Sequence, residues 1–321
     1  MCDTALWHCE KKTDSFVIGS CISSMLHAAE FQNHHIETCT HSAGVVPMSR
    51  NVDGEIVVLL GREQYSSSWK GSCRWSAFEG GRKGGEKVSA TAARECSEES
   101  LALVNPLPMD IERNYVCRIV LNIIHDDRKS FMRLHTSFVH EVAYDEHLPE
   151  AFAQRRARLL LLKQHNEKLD TIMSNAMGAP YVVVRVDVQS RFIVMTSTRG
   201  ITMTYTSPFS KTALEVLQTC DAIHNMVESK LTETDKACVH VTQCASKRWF
   251  AYADADVLEK DEIRWFSMSE IHHWIDRGHN HAHEFLRTFF VPVACALVKL
   301  STQSNLVIDS KQSMQKHDVA L

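Results

Sequence analysis

A short segment rich in glycine and glutamate is the part of the sequence whose residue types could do chemistry. Residues 80–100 read GGRKGGEKVSATAARECSEES. The carboxylates of Glu95, Glu98 and Glu99 stand close together beside Arg94. Clustered carboxylate oxygens suit a hard divalent cation such as Mg²⁺ or Mn²⁺, and glycines let the backbone approach a ligand closely. The segment therefore predicts a place where a bound cation grips a diphosphate.

A helix is needed to bring these carboxylates together. The pattern predicts one from about Ser89 to Leu103, which the NPLP sequence at 105–108 then stops. Its apolar side would hold Val88, Ala92, Ala93, Cys96 and Leu103. The three glutamates fall on the other side, within a sector of roughly 100°. Like charges at this spacing repel one another, and a bound cation would turn that repulsion into ligation.

The segment resembles the Nudix box, whose pattern is G-x5-E-x7-R-E-U-x-E-E-x-G-U, with U a bulky apolar residue. The pattern is matched in register by Gly80, Glu86, Arg94, Glu95, Glu98 and Glu99, with Cys96 at the first apolar position. Two positions depart from it. Leu101 occupies the position of the second glycine of the pattern, and Ala102 occupies its final bulky apolar position.

The resemblance implies a fold, an activity and a set of site residues. The fold would be an α/β/α sandwich with a mixed sheet, interrupted here by a large α/β insertion. The activity would be divalent-metal-dependent hydrolysis of a diphosphate linkage in a nucleoside diphosphate joined to another moiety. Mg²⁺ or Mn²⁺ would be the cofactor, and a small-molecule diphosphate would be the substrate.

The same resemblance assigns roles to individual residues. The cation ligands would be Glu95, Glu98 and Glu99, with Glu86 either joining them or supporting the loop. Arg94 would orient Glu95 through an ion pair. The substrate would approach over Gly80 and Gly81. The general base stays open between a box glutamate and a carboxylate outside the box, for which the sequence offers Glu141, Asp145 and Glu146.

The rest of the chain supplies the elements that would frame this site. We expect an N-terminal extension over 1–40, a hydrolase domain formed by 41–148 and 256–303, and a flexible tail over 304–321. HSAGVVPMS and GEIVVLLGRE read as strands joined at a turn, and EIRWFSMSEIHHWI reads as a strand entering a helix. Between them, 149–255 reads as an inserted α/β lobe, and we hypothesise that it sets substrate choice.

Composition narrows the class of protein. Of 321 residues, 44% are apolar and 23% are charged, and the net charge is −4, so no overall basic field calls for nucleic acid. The 11 cysteines show no paired spacing, which is typical of free thiols in a reducing compartment. With no apolar leader and no long apolar run, we expect a cytoplasmic protein without a membrane span, and the nucleus stays open.

Weaker patterns leave alternatives open. A basic stripe formed by Arg155, Arg156, Arg158 and Lys163 would suit an RNA-directed decapping hydrolase. A second alternative is a nucleotide sensor of the same fold that does not turn its ligand over. His279 and His283 have a zinc-chelating spacing, although the sequence favours a histidine-rich surface loop. Core packing is expected for Trp75, Trp265 and Cys96, and the oligomeric state is not predicted.

Overall fold

The computed structural model describes residues 7–10, 15–18, 37–69, 71–123, 133–177, 181–187, 192–197, 202–205, 211–232, 235, 239–243, 249–253 and 258–302. Within them the chain divides into two compact units. The first comprises 1–100, 104–149 and 262–321, and the second comprises 101–103 and 150–261. The flexible tail expected over 304–321 lies outside the described residues, and the role of the inserted lobe in substrate choice stays a prediction.

In the described part of the chain, nine strands form one mixed sheet. They are β1 (Trp7–Glu10), β2 (Ser15–Ile18), β3 (Thr40–Arg50), β4 (Ile56–Glu63), β5 (Trp75–Ser76), β6 (Phe78–Gly81), β7 (Tyr115–Ile123), β8 (Arg133–Glu141) and β14 (Lys260–Ser267). Their order is β14-β4-β3-β8-β7-β1-β2, with β5 paired to β4 and β6 paired to β3. Only the β3–β8 pair is parallel among the pairs described. Two short strands of the expected N-terminal extension thus continue the sheet beyond β7.

Five helices accompany this sheet in the described residues. They are α1 (Val88–Glu99), α2 (Pro108–Asn114), α5 (Met268–Asp276), α6 (His279–Phe285) and α7 (Phe290–Thr302). Helix α1 packs on β3 and β6. The last three helices share the main hydrophobic core with β3, β4 and β7. The α/β class and the mixed sheet expected from the sequence are confirmed.

The second unit has its own helices and small sheets. It contains α3 (Leu148–Met177), of which 150–177 belong to it, and α4 (Lys211–Ser229). Three antiparallel strands, β9 (Tyr181–Asp187), β10 (Phe192–Ser197) and β11 (Thr202–Tyr205), form a meander. A further hairpin joins β12 (Val239–Gln243) to β13 (Trp249–Ala253).

The two faces of the main sheet are separated by the alternation of side chains along β3. Val46 and Met48 belong to the core that includes α7. Ala43 is an odd number of residues from Val46 and therefore points to the opposite face, toward α1. Gly80 pairs with Ala43, whereas Glu79 pairs with Gly44, so these two neighbours project to opposite faces. Residues that immediately precede the box helix therefore contribute to both sides of the sheet.

The box helix ends earlier than the sequence indicated. It stops at Glu99 instead of continuing to Leu103, because Leu101 and Ala102 both adopt a left-handed conformation, with φ of 57°. The NPLP segment is therefore not what ends it. Leu101, which stands at the late box glycine, takes up the kind of backbone conformation that glycine adopts at low cost.

The C-terminal segment is divided into two helices. The chain leaves the helical conformation after Phe285 and resumes it at Phe290. Pro292 then lies in the first turn of α7, where a missing N–H costs little. The break allows Leu286 to form a bridge with Trp75 of β5.

No helix among the described residues is long and apolar enough to cross a membrane.

Gly44 should be required for the packing of β6 on β3. A Cβ at this position would lie 2.4 Å from Glu79 Cβ and 2.5 Å from the Phe78 carbonyl oxygen, and the latter is backbone that cannot turn aside. We expect Gly44→Ala to lower the free energy of unfolding by about 1–3 kcal/mol. Urea denaturation measures the change. Gly84→Ala, where a Cβ meets nothing within 4 Å, is the control, and equal losses in both variants would contradict the packing argument.

Candidate active site

The N-terminus of α1 is held by a residue far away in sequence. Lys87, at the N-cap, makes no side-chain cap, and the backbone N–H of Val88 instead donates to Glu37 Oε1 at 2.8 Å. Arg82 keeps Glu37 in place, with its Nη2 3.5 Å from the same oxygen and its Nη1 donating to the Glu37 carbonyl. A carboxylate at a helix N-terminus satisfies an unpaired donor and interacts favourably with the helix dipole.

Arg94 is the centre of the box. Its Nη1 lies 2.6 Å from Glu95 Oε1 and 2.9 Å from Glu98 Oε2, and its Nη2 donates to the Gly81 carbonyl at 2.9 Å. Burial alone would lower the pKa of Arg94, but hydrogen bonds and ion pairs with Glu86, Glu95 and Glu98 raise it above its ordinary value. The guanidinium thus stays charged and joins the helix to the glycine-rich turn.

Glu86 faces Arg94 from the loop. Its two oxygens lie 2.8 Å from Nε and 3.1 Å from Nη2 of that arginine. Thr91 Oγ1 and the backbone N–H of Lys83 also donate to it, at 3.0 and 3.1 Å. The hydrogen bond from Arg94 lowers the pKa of Glu86 to about 2, although burial by itself would raise this pKa. Of the two roles left open for Glu86, these contacts match loop support.

Glu95 lies directly against the backbone of Gly80. A Cβ on Gly80 would come within 2.3 Å of the Glu95 carboxylate carbon and of its Oε2. Gly80 therefore has to be a glycine for this carboxylate to occupy its place. At Gly81 a Cβ would meet nothing within 4 Å, so this second glycine leaves open space above the turn.

Glu99 is not on the solvated face that the helical wheel indicated. Its side chain is buried, with the residue 1% exposed, and its Oε2 accepts the backbone N–H of Glu79 at 2.8 Å. The position is three residues after Cys96, on the side that packs on the sheet. Cys96 is itself fully buried, and burial raises the pKa of its thiol well above the usual value, as a core cysteine requires.

Beside the box glycines, the sheet carries polar residues that sequence reasoning missed. The buried ring of His135 on β8 lies 3.0 Å through Nε2 from Glu79 Oε2. The same nitrogen is 2.9 Å from Ser137 Oγ, and Nδ1 is 2.8 Å from Ser42 Oγ. These residues read as ordinary strand positions, and only the pairing of β8 with β3 brings them together.

Arg287, just before α7, joins the same group from another direction. Its Nη1 is 3.1 Å from Glu63 Oε1 and 3.9 Å from Glu79 Oε1. Its guanidinium carbon lies 5.0 Å from the ring centroid of Trp69, a cation–π distance. Glu63 also accepts a hydrogen bond from Ser76.

Of the carboxylates proposed as a base outside the box, Glu141 lies on β8. Ala43 pairs with Gly80 and Met48 pairs with Glu141, five strand positions apart along β3. At 3.3 Å per residue this is roughly 16 Å along the strand, and the role of Glu141 as a base stays a prediction. Asp145 and Glu146 lie in the exposed loop that follows, and their role as a base stays a prediction.

The box carboxylates fit a hard divalent cation by donor type. Within the described residues, no three acidic, histidine or cysteine side chains are grouped as a ready metal site. Glu95 and Glu98 nevertheless meet at one nitrogen of Arg94, so their oxygens are near neighbours. All the donors are oxygens, as Mg²⁺ and Mn²⁺ prefer. Glu95, Glu98 and Glu99 are the residues that would hold such an ion.

The basic stripe of α3 has acidic partners within the second unit. Arg155 Nε and Arg158 Nε each lie 2.8 Å from an oxygen of the buried Asp235. Arg156 donates to the Lys260 carbonyl, and Lys163 lies 3.9 Å from Glu167. Two carboxylates thus face four positive charges, and an RNA surface stays a prediction.

The remaining weak patterns have plain structural roles or stay predictions. Trp75 packs edge-on against Phe266 at 4.8 Å between centroids, as expected of a core residue. Trp265 donates its indole N–H to the Asp145 carbonyl at 2.8 Å. His279 and His283 lie on the same short helix, but the His279 side chain is outside the described ones, so zinc binding there stays a prediction.

Comparisons with known proteins give only partial similarities. No protein-family model matches the chain, and no curated protein matches it. Among solved structures, the chain is similar to RenU, a Nudix hydrolase from M. smegmatis, with 18% identity and a TM-score of 0.26 over 33% of this chain and 63% of that one. It is similar to a C. elegans Ap4A hydrolase, with 20% identity and a TM-score of 0.23 over 32% and 68% of the two chains.

A third similarity is to a mutT/nudix family protein from Listeria innocua, with 15% identity and a TM-score of 0.24 over 36% of this chain and 70% of that one. This chain thus spans less than two thirds of the length of RenU. At TM-scores this low, the similarities do not bear on activity, which is inferred below from the box side chains themselves.

Acid should weaken the fold through Glu86. Its pKa is about 2 when folded, against an ordinary value of 4.5. Its contribution to the free energy of unfolding is therefore fully present above pH 4.5 and is lost as the pH falls toward 2. We expect the stability gap between wild type and Glu86→Gln, measured by urea denaturation, to shrink over this window. A gap that stays constant from pH 5 to pH 2.5 would contradict the role of the Arg94 contact.

Removing the distant cap should destabilise the box helix. We expect Glu37→Ala to lower the free energy of unfolding by about 1 kcal/mol, since Val88 N–H loses its acceptor. Adding Lys87→Ser, which supplies a hydroxyl at the N-cap itself, should restore much of this loss in chemical denaturation. Glu55→Ala, in the exposed β3–β4 turn, is the control. A double variant no more stable than Glu37→Ala would exclude the capping explanation.

Proposed function

We propose that this chain is a divalent-metal-dependent hydrolase of the Nudix type, which cleaves a diphosphate linkage in a nucleoside diphosphate joined to another moiety. The observation that carries the proposal is the convergence of box residues on Arg94. The guanidinium contacts Glu86, Glu95 and Glu98 together with the Gly81 carbonyl. A solvated acidic helix face would need no such half-buried arginine and no glycine to accommodate its carboxylate.

In this proposal Glu95, Glu98 and Glu99 bind the cation. Mg²⁺ or Mn²⁺ would supply, when bound, charge stabilisation at a phosphate oxygen and a water of lowered pKa. Arg94 keeps the Glu95 and Glu98 carboxylates in position, and Glu86 in turn fixes Arg94. The open space above Gly81 leaves room for a diphosphate to approach the backbone.

Glu98 is the box carboxylate best suited to accept a proton from water. Its side chain is 25% exposed, compared with 12% for Glu95, and Glu99 is buried. Solvent access is needed because a general base has to come within hydrogen-bond reach of the attacking water. The two loop carboxylates, Asp145 and Glu146, stay alternatives for this step.

The test is turnover of a panel of diphosphate compounds with Mg²⁺ or Mn²⁺. The panel contains a nucleotide sugar, a dinucleoside polyphosphate, a dinucleotide coenzyme, an inositol pyrophosphate and capped RNA. We expect hydrolysis of at least one member, and a loss of about 100-fold or more in kcat for Glu98→Gln, because several kcal/mol of transition-state stabilisation disappear. Glu55→Gln, in an exposed turn, is the matched control.

Two results would overturn the proposal. Metal-dependent binding of a panel member without any turnover would identify a nucleotide sensor. Hydrolysis that is unchanged in Glu98→Gln would place the activity outside the box. Turnover of capped RNA alone would support a hydrolase but narrow its substrate to RNA caps.

A further inference from the structure

Lys83 is a basic residue of the glycine-rich turn that the hydrolytic scheme above does not use. Its Nζ lies 3.6 Å from Glu98 Oε1, which is beyond hydrogen-bond range, so the contact is a loose ion pair. The Lys83 side chain is 58% exposed. A Cβ added to Gly81 or to Gly84 would meet nothing within 4 Å, so the backbone before and after Lys83 borders open space. The ammonium is therefore free to turn to another anion without loss of packing.

The partner of Lys83 sets this ion pair apart from an ordinary surface contact. Glu98 is one of the three carboxylates assigned to the cation, and Arg94 Nη1 already lies 2.9 Å from its Oε2. The oxygen that faces Lys83 is thus the one more open to a cation. A divalent cation on that oxygen and an ammonium 3.6 Å from it repel each other. Lys83 and the cation therefore compete for Glu98.

A diphosphate is strongly anionic, and Arg94 has no donor left to bind it. A guanidinium has five N–H donors. The hydrogen bonds of Arg94 to Glu86, Glu95, Glu98 and the Gly81 carbonyl also number five, one for each donor. The positive charge that meets a phosphate has to come from the cation and from another side chain.

The other basic residues of the turn face different partners. Arg82 donates to the Glu37 carbonyl, and Lys87 lies 4.0 Å from Glu112. Within the described residues 80–88, Lys83 is the basic side chain that contacts a carboxylate assigned to the cation. Lysine suits phosphate binding, because its ammonium is a point charge on a flexible stem.

We propose that Lys83 binds a phosphate group of the diphosphate substrate when the cation takes its place at Glu98. The inference rests on the proposed function, in which Glu98 is a cation ligand and the substrate is a diphosphate. With Glu98 bound to the cation, Lys83 loses its acidic partner and turns to the phosphate beside it. Lys83 therefore weakens the binding of the cation alone and strengthens the binding of the diphosphate in the presence of the cation.

Two titrations of the full chain in about 0.15 M salt test these opposite effects with Lys83→Met. The first measures Mn²⁺ alone, by the electron paramagnetic resonance signal of free Mn²⁺. We expect its Kd to fall about threefold, as the loss of an exposed ion pair allows. The second measures methylenediphosphonate at saturating Mg²⁺ by calorimetry, since its bridging carbon prevents hydrolysis. We expect its Kd to rise about tenfold, because a charged hydrogen bond is lost.

The matched control is Lys87→Met, which removes the same charge from the same turn at an exposed position. We expect both of its Kd values to stay close to those of wild type, because its acidic partner is Glu112 and not a box carboxylate. The fold is not at risk in Lys83→Met, since the side chain is exposed and the backbone N–H that donates to Glu86 is kept.

The outcomes separate this inference from the proposed function. Wild type that binds no Mn²⁺ overturns both. If wild type binds Mn²⁺ but not methylenediphosphonate, or if Lys83→Met changes neither Kd or only one of them, the inference alone fails. Weaker binding of both ligands by Lys83→Met also overturns it, because that result indicates damage to the turn. Equal changes in Lys87→Met overturn it as well, because they indicate an effect of overall charge.

Discussion

The ion pairs of Arg94 are the interaction on which the box depends. One planar cation reaches the loop through Glu86, the helix through Glu95 and Glu98, and the strand end through the Gly81 carbonyl. A lysine could not do this, because its ammonium presents a point charge without the fixed fork of donors. Since the guanidinium is partly buried, its charge is weakly screened, and the carboxylates around it are held together despite their mutual repulsion.

The sheet beneath this helix also lies against buried carboxylates. Glu63, Glu79 and Glu99 are almost completely buried, and a buried carboxylate is costly unless it has a partner. Arg287 donates to Glu63, His135 Nε2 lies 3.0 Å from Glu79 Oε2, and the backbone N–H of Glu79 donates to Glu99. Close packing at Gly44 brings β6 near enough for these contacts. Polar residues therefore lie in the interior beneath the box helix, because acidic residues there pack under a helix that is itself acidic.

What the sequence predicted well was local. The β3–β4 hairpin and the box helix each follow from patterns within about 20 residues, where turn residues and periodicity act directly. The box residues were identified by their fixed spacing. The helix end was misjudged, because a leucine at the left-handed position gives no sequence signal of the turn that it makes.

What the sequence could not predict depends on strand register. Ser42 and His135 are 93 residues apart and meet only because β3 and β8 pair in parallel. The burial of Glu99 depends on the position of Glu79 across the sheet, which the helical wheel does not contain. Arg287 meets Glu63 across 224 residues, at the break between α6 and α7.

The contact between Glu37 and the first turn of the box helix has a consequence for where the domain begins. The expected hydrolase domain starts at residue 41, yet the acceptor for Val88 N–H precedes that boundary. Arg82 in the glycine-rich turn also donates to the Glu37 carbonyl, so residues at both ends of this turn contact Glu37. A shortened protein that begins at β3 would therefore keep every box residue and still lack part of what orders the box. The smallest autonomous unit that keeps the box ordered has to include the residues just before β3.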